Sequence, residues 1–339
     1  MSEQVRAALA TIVEGGTLTL DEARLAMGAV MDGESTPAQL AAMLMGLRMR
    51  GETVDELAGF ATAMRERVVR VEAPVGAIDL VGTGGDGSGT FNISTAAALV
   101  VAAAGVPVAK HGNRAITSKS GSADVLDALG VRIDHDAASA GAALHDLGFA
   151  FLFAPNFHPA MRHAGPTRRE IGVRTAFNLL GPLTNPAGTT LQVLGVGDAR
   201  AAGRFAEVVQ RLGTERTFVI HGDGVDELPL DDSGVLYRVG PEGIRQETVS
   251  ASALGLTVAP TSRLGGGSAE ENARAIEGVL RGEPGTRRDV VLLNAAAGLL
   301  VAGVVDDLEG GIDRAALTID AGLATDLLRA LRAERAAAA

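Results

Sequence analysis

From about Ala77 onward, short apolar runs alternate with segments rich in small residues. This alternation predicts strands joined by helices, and hence a mostly parallel sheet covered on both faces. Ala-rich helices are predicted at 95–105 and 199–212. The predicted strands are AIDLV, VPVAK, FAFLFAP, LQVLGVG, RTFVIHG and DVVLLNAAAG. Binding sites in such sheets lie at the carboxyl ends of the strands.

The first 73 residues predict a small all-helical domain. Three threonines are each followed three positions later by Glu or Gln, the capping-box pattern that marks a helix start: Thr19 with Glu22, Thr36 with Gln39, and Thr53 with Glu56. Segment 38–51 is apolar nearly all round, which fits the centre of this domain or a subunit interface. We expect 168–188 to return to the helical domain, leaving 74–167 and 189–339 as the α/β domain.

The composition argues against nucleic acid and membranes as partners. A net charge of −11 opposes phosphate binding over a broad surface, and 3% aromatic residues offer little for base stacking. The most apolar run, 290–305, is shorter than the roughly 20 residues of a membrane span, and we interpret it as a buried strand and helix. The chain has no cysteine and its N-terminus has no signal pattern, so we expect a cytoplasmic protein.

A glycine segment follows the first predicted strand. The run IDLVGTGGDGSGTFNIST, residues 78–95, has glycines at 82, 84 and 87 and so matches G-x-G-x-x-G. In a dinucleotide-binding turn the helix begins on these glycines and an acidic residue follows about 20 positions later. Here a helix start appears only at Asn92 or Ser94, and the next strand leads to Lys110 and Arg114. The segment therefore favours a loop for a different phosphorylated ligand.

Two polar loops follow successive predicted strands. The first offers flexible amides and hydroxyls, and the second offers cations and more hydroxyls. Their members are Gly84, Gly85, Thr90, Asn92, Ser94 and Thr95, then Lys110, Asn113, Arg114, Thr117, Ser118, Ser120 and Ser122. Two such loops predict a ligand that carries phosphate at both ends.

Three segments, GTGGDGSGTFNIST, KHGNRAITSKSGSADVLDALG and HPAMRHAGPTRREIGVRTAFNLLGPLTNPA, resemble the signatures of the anthranilate phosphoribosyltransferase family. The similarity covers essentially the whole chain. It implies transfer of the phosphoribosyl group of 5-phosphoribosyl 1-pyrophosphate (PRPP) to the amine of anthranilate, giving N-(5-phosphoribosyl)anthranilate and pyrophosphate in the second committed step of tryptophan biosynthesis. It also implies a Mg²⁺ cofactor, a homodimer formed through the N-terminal helices, and a fold of the nucleoside phosphorylase and phosphoribosyltransferase type.

The resemblance also assigns the site. It implies that Arg168 binds anthranilate together with Gly82 and Asn113, and that Ser94, Asp226 and Glu227 hold Mg²⁺. We expect no acid–base residue, because an aromatic amine is already unprotonated at neutral pH; Lys110 and Asp86 would position the transition state. The implied PRPP-binding residues are Gly82, Gly85, Asp86, Thr90, Asn92, Ile93, Ser94, Thr95, Lys110, His111, Gly112, Asn113, Arg114, Ala115, Ile116, Thr117, Ser118 and Ser122.

Two departures from the family pattern and two alternative functions remain. Thr167 stands before Arg168 where the family commonly has valine, and we expect little effect from it. Leu228 and Pro229 follow the acidic pair where the family usually has Ile-Ser, and proline restricts the backbone there. A pyrimidine or thymidine nucleoside phosphorylase shares the architecture, but its second loop carries Thr-Gly-Gly-Thr where this chain reads Ser-Gly-Ser-Ala at 120–123. A non-catalytic, nucleic-acid-binding relative should have a basic groove, whereas this chain is acidic.

Overall fold

The computed structural model describes residues 2–115 and 119–338. Its N-terminal part consists of four helices: α1 Glu3–Val13, α2 Leu20–Met31, α3 Pro37–Arg50 and α4 Val54–Arg65. All three predicted capping boxes are present, so the starts of α2, α3 and α4 are confirmed. In each box the threonine accepts a backbone hydrogen bond and the Glu or Gln returns one, which satisfies two amides that the helix leaves free.

The rest of the chain is built on one sheet. In the part of the chain that the structure describes, its strands are β1 Ile78–Gly82, β2 Val108–Gly112, β3 Phe149–Phe153, β4 Leu191–Gly195, β5 Arg216–His221, β6 Gly234–Gly240 and β7 Gly243–Val249. Their order is β3-β2-β1-β4-β5-β6-β7. The first five pair in parallel, and β6 and β7 add an antiparallel hairpin. The predicted fold class, a small helical domain plus a mostly parallel α/β domain, is confirmed.

Helices cover both faces of the sheet. They are α5 Ile93–Ala103, α6 Ser122–Ala128, α7 Ala137–Leu147, α8 Ala154–Phe157, α9 Gly165–Ile171, α10 Phe177–Leu180, α11 Ala199–Arg211, α12 Ala269–Leu280, α13 Thr286–Ala302, α14 Leu308–Asp320 and α15 Leu323–Ala338. Short 3₁₀ turns occur at Pro159–His163, Gly181–Leu183 and Thr261–Leu264. No helix among these residues combines the length and apolar character needed to cross a membrane.

The predicted strand DVVLLNAAAG is wrong, because these residues lie inside the helix α13. This helix is buried on all sides in the main core, with Val290, Leu293 and Leu299 fully covered. A helix surrounded by protein needs no polar face, so its sequence has no 3.6-residue periodicity to distinguish it from a buried strand. The antiparallel hairpin β6–β7 was not predicted.

The helical region rests against one face of the sheet. Its core continues into α11 and into the β4 and β5 side chains Leu194 and Val219. Apolar residues of the segment predicted to return to the helical domain enter the same core, among them Phe177 and Leu180. The domain boundaries themselves stay a prediction.

Candidate active site

The candidate site lies where the strand order of the sheet reverses, beside β1. Strands β2 and β3 succeed β1 on one side, while β4 and β5 continue on its other side. Loops that leave β1 and β4 therefore diverge, and they open a crevice at the carboxyl ends of the strands. A cavity of about 330 Å³ occupies this position.

Most of the predicted ligand residues meet in this cavity. The predicted residues that line it are Gly82, Gly85, Asp86, Thr90, Asn92, Ile93, Ser94, Thr95, Lys110, His111, Gly112, Asn113, Arg114, Ala115, Ser122, Asp226 and Glu227. Ile116, Thr117 and Ser118 lie outside the described residues. A larger, open groove of about 710 Å³ beside the starts of α12 and α13 contains none of these predicted residues.

The first of the two polar loops, which follows β1 and is called the glycine loop below, brings successive backbone groups to the cavity. Gly84 and Gly85 both have φ near +60°, at 64° and 63°, a conformation that L side chains rarely adopt. Their carbonyl oxygens accept hydrogen bonds from the guanidinium of Arg174, at 3.1 Å and 2.6 Å respectively. Arg174 also lines the cavity, although it was not selected from the sequence. An arginine from the segment before α10 therefore fixes the positions of these two carbonyl groups.

The acidic pair lies under the glycine loop and the start of α5. Asp226 accepts a hydrogen bond from the Gly84 N–H at 2.8 Å, and Glu227 accepts one from the Ser94 N–H at 3.0 Å. Burial, and then the neighbouring Asp86, raises the pKa of Asp226 to about 6. Burial, and then Asp226, raises the pKa of Glu227 to about 8. Three acidic side chains thus repel one another in a poorly solvated place.

This donor set suits a divalent cation. Mg²⁺ prefers carboxylate and phosphate oxygens and keeps several waters, and its charge would relieve the repulsion between Asp226 and Glu227. In 2–115 and 119–338, no group of three or more His, Cys, Asp or Glu side chains is placed to hold a metal by itself. A cation bound by Asp226 and Glu227 would also accept oxygen atoms from water or from a phosphorylated ligand.

The backbone after the acidic pair is fixed by Asn294 on α13. Its Oδ1 accepts a hydrogen bond from the Leu228 N–H at 3.0 Å, and its Nδ2 donates to the Leu228 carbonyl at 2.9 Å. Leu228 is fully buried. The backbone at Leu228, where the sequence departs from the family pattern, is thus held in place by a side chain. That side chain, Asn294, is the only polar one in the apolar run 290–305.

Lys110 contributes a buried cation. Its Nζ donates to the Leu80 carbonyl at 2.6 Å, and burial lowers its pKa. Burial raises the pKa of nearby Asp79 to about 6, against the opposing effect of the Lys110 charge. Asp79 accepts hydrogen bonds from the Asn185 side chain at 2.7 Å and from the His111 N–H at 3.2 Å. The Lys110 side chain on β2 is thus bonded to the middle of β1, close to the buried Asp79.

His111 and His158 form a buried pair, with their Nε2 atoms 3.3 Å apart. Burial, and then the neighbouring ring of His158, lowers the pKa of His111 to about 3; burial lowers that of His158 to about 4. Both rings are neutral at pH 7, so one Nε2 donates the hydrogen bond and the other accepts it. This arrangement suits positioning and packing.

In the second loop Asp124 holds the backbone, because it accepts hydrogen bonds from the N–H groups of Ala115 and Gly121, both at 2.9 Å. The Arg114 guanidinium pairs with Asp124 at 2.8 Å and with Asp127 at 3.3 Å. The charge of Arg114 is therefore partly balanced by two aspartates of α6, although its side chain lines the cavity.

Arg168 does not line the cavity. It lies on α9, with its guanidinium carbon 4.7 Å from the centre of the Phe177 ring, and burial lowers its pKa. Neither a salt bridge nor a side-chain hydrogen bond holds its guanidinium among the described residues. Its assignment to anthranilate stays a prediction.

Comparisons with known proteins agree with this architecture. Family models described as "Glycosyl transferase family, helical bundle domain" and "Glycosyl transferase family, a/b domain" match residues 6–68 and 75–325. The anthranilate phosphoribosyltransferase of Rhodopseudomonas palustris strain HaA2 is 50% identical over 334 residues, which cover 98% of this chain and 99% of that protein. That of Pelotomaculum thermopropionicum is 52% identical over 282 residues, which cover 82% of this chain and 81% of that protein.

Solved structures are similar over nearly the full length. The crystal structure of anthranilate phosphoribosyltransferase from Thermus thermophilus has a TM-score of 0.91 at 45% identity, covering 97% of this chain and 99% of that one. The enzyme from Saccharomyces cerevisiae, in complex with PRPP and Mg, has a TM-score of 0.88 at 26% identity, and the match covers 99% of both chains.

Proposed function

The chain belongs to the anthranilate phosphoribosyltransferase family of glycosyl transferases, and on that premise we propose which reaction it catalyses in this cavity. It transfers the phosphoribosyl group of PRPP to the amine of anthranilate and releases pyrophosphate, a step of tryptophan biosynthesis. One observation carries the assignment: two loops from neighbouring strand ends and a buried acidic pair line a single cavity. That cavity suits a ligand with phosphate at both ends and an associated divalent cation.

The chain's residues would act mainly by positioning. We propose that Asp226 and Glu227, with Ser94, hold the Mg²⁺ that accompanies PRPP. Bound there, the ion would supply positive charge to the departing pyrophosphate. Lys110 adds a further positive charge, and the positive end of the α5 helix dipole favours phosphate oxygens. Asp86 faces the acidic pair and would help to keep the cation in place.

The acceptor side needs orientation more than proton transfer. We propose that Arg168 holds the anthranilate carboxylate, with Gly82 and Asn113 close to the ring. Arginine can bind a carboxylate through two parallel hydrogen bonds. Two facts support this role: its guanidinium has no ion pair in the described residues, and α9 leads directly to Arg174, which contacts the glycine loop. The aromatic amine can then attack C1 without a general base.

The test uses the fluorescence of anthranilate. We expect its loss when PRPP and Mg²⁺ are added together, and no loss when a chelator replaces the metal. No turnover of anthranilate, combined with phosphorolysis of thymidine, would favour the nucleoside phosphorylase alternative. Retention on immobilised nucleic acid without either activity would favour the nucleic-acid-binding alternative.

We further propose a cytoplasmic homodimer formed through the N-terminal helices. Val13 on α1 and Met49 on α3 are 81% and 85% exposed, and both are large apolar side chains on the N-terminal helices. A second copy of the chain would cover them. Cell fractionation tests the location, and sedimentation tests the assembly.

A further inference from the structure

Two asparagines, of which Asn272 is buried, link the loops of the cavity to α12. Asn272, in the first turns of α12, is 3% exposed. Its Nδ2 donates to Asn92 Oδ1 at 2.9 Å, and its Oδ1 accepts a hydrogen bond from the Gly267 N–H at 2.8 Å. Asn92 Nδ2 in turn donates to the Ser120 carbonyl at 3.1 Å. The result is a continuous chain of hydrogen bonds from Gly267 through two amide side chains to Ser120.

The ends of this chain determine the orientation of both amides. The Gly267 N–H can only donate and the Ser120 carbonyl can only accept, so each amide has one orientation in which every group is paired. Reversing Asn92 would bring its oxygen against the Ser120 carbonyl. Reversing Asn272 would bring its NH₂ group against the Gly267 N–H. A buried amide without partners is costly, so the buried Asn272 has a fixed orientation, and its NH₂ group fixes the orientation of Asn92.

The same segment before α12 also holds the glycine loop. The Gly266 N–H donates to the Gly89 carbonyl at 2.8 Å, and the Phe91 N–H donates to the Leu264 carbonyl at 2.9 Å. Asn92 is the residue before α5, and its side chain makes no capping bond to that helix. Its side chain instead links the second loop to Asn272.

We propose that Asn272 is a positioning residue for the phosphoribosyl donor. It does not line the cavity. Through Asn92 and Ser120 it sets the relative position of the first turn of α5 and the second loop, the two elements proposed to bind PRPP. This inference rests on the proposed function, and it predicts an effect on the donor that the acceptor does not share.

The informative variant is Asn272→Asp. An aspartate keeps the size of the side chain and the acceptor for the Gly267 N–H, but it presents an oxygen to Asn92 Oδ1. Asn92 must then either lose a partner or turn its oxygen to the Ser120 carbonyl. We expect the KM for PRPP to rise on the order of 10-fold, the scale of one lost hydrogen bond. The KM for anthranilate should change less than about twofold.

Ser268→Ala is the matched control. Ser268 caps the same helix by accepting a hydrogen bond from the Glu271 N–H at 3.3 Å, and its side chain has no hydrogen bond to either asparagine. We expect this variant to lower the melting temperature and to leave both KM values unchanged. Asn272→Ala provides a second test that introduces no charge, and calorimetric titration with PRPP and Mg²⁺ measures donor binding without turnover.

The outcomes separate clearly. A selective rise in the KM and the dissociation constant for PRPP in either Asn272 variant supports the inference. Unchanged values, an equal rise for both substrates, or the same rise in Ser268→Ala would overturn it, as would failure of both Asn272 variants to fold. If the wild-type chain itself does not consume anthranilate, the proposed function fails, and calorimetry with PRPP still decides the role of Asn272.

Discussion

The Asp226 carboxylate occupies the place where a side chain on Gly82 would begin. It accepts a hydrogen bond from the Gly84 N–H at 2.8 Å, and a Cβ atom on Gly82 would lie 2.2 Å from its Oδ2. Gly82 has no positive φ, so space, and not backbone conformation, requires a glycine at this position. The end of β1 and the loop after β5 that carries Asp226 therefore pack so closely that no side chain fits between them.

We expect Gly82→Ala to displace the Asp226 carboxylate and to leave the fold intact. The Mg²⁺ concentration for half-maximal activity should rise on the order of 10-fold, because one of the two acidic ligands loses its position. Gly181→Ala is the control, since a Cβ atom there has nothing within 4 Å. A normal magnesium dependence in Gly82→Ala, with circular dichroism like that of the wild type, would contradict the assigned role of Asp226.

Substitution of Arg168 and substitution of Arg174 should change the KM values of different substrates. Arg168→Ala removes the proposed partner of the anthranilate carboxylate, so the KM for anthranilate should rise by about 10-fold or more while that for PRPP stays nearly constant. Arg174→Ala releases the carbonyls of Gly84 and Gly85, so the KM for PRPP should rise instead. Steady-state kinetics with each substrate varied in turn measures both. Parallel rises in Arg168→Ala would assign it a structural role.

The proposed homodimer depends on apolar surface of the N-terminal helices. Met49→Glu places a charge on an 85% exposed side chain of α3, and burying that charge at an interface would be unfavourable. Sedimentation velocity should show a dimer for the wild type and a shift towards monomer for this variant. Val75→Glu, at a fully exposed valine beyond α4, should not change the assembly. A wild-type monomer, or a dimer that Met49→Glu leaves intact, would exclude this interface.

Local signals in the sequence predicted much of the fold. The capping boxes mark helix starts because partners three residues apart satisfy each other. The strands β1 to β5 are short apolar runs between breaks. The same signal misassigned α13, and it missed β7, where most side chains are exposed and no apolar alternation remains.

The site, like the fold, could be predicted only in part. Loops at strand ends can be recognised from their own residues, whereas the groups that hold them in place come from distant parts of the chain. Asn294 is 66 positions from Leu228, and Asn272 is 180 positions from Asn92. Nothing in the local sequence of either asparagine indicates its partner, so these contacts required the structure.

The buried pair His111 and His158 predicts how stability depends on pH. Their folded-state pKa values, about 3 and about 4, lie below the value of about 6.5 expected in an unfolded chain. As pH falls below about 6.5, these histidines bind protons in the unfolded state but not in the folded state. The free energy of unfolding therefore decreases as pH falls. Their stabilising contribution is fully present above that pH.

His158→Gln tests this contribution. A glutamine can still bond to His111 and does not titrate, so the variant should lose stability less steeply than the wild type between pH 6.5 and 5. The slopes should differ by up to about 1.4 kcal/mol per pH unit, the limit for one proton. Urea denaturation of both proteins at several pH values gives the slopes, and the carboxylates common to both cancel in the comparison. His145→Gln, at an exposed histidine, is the control. Equal slopes for His158→Gln and the wild type would mean that the folded protein takes up a proton at His158 as readily as the unfolded chain does.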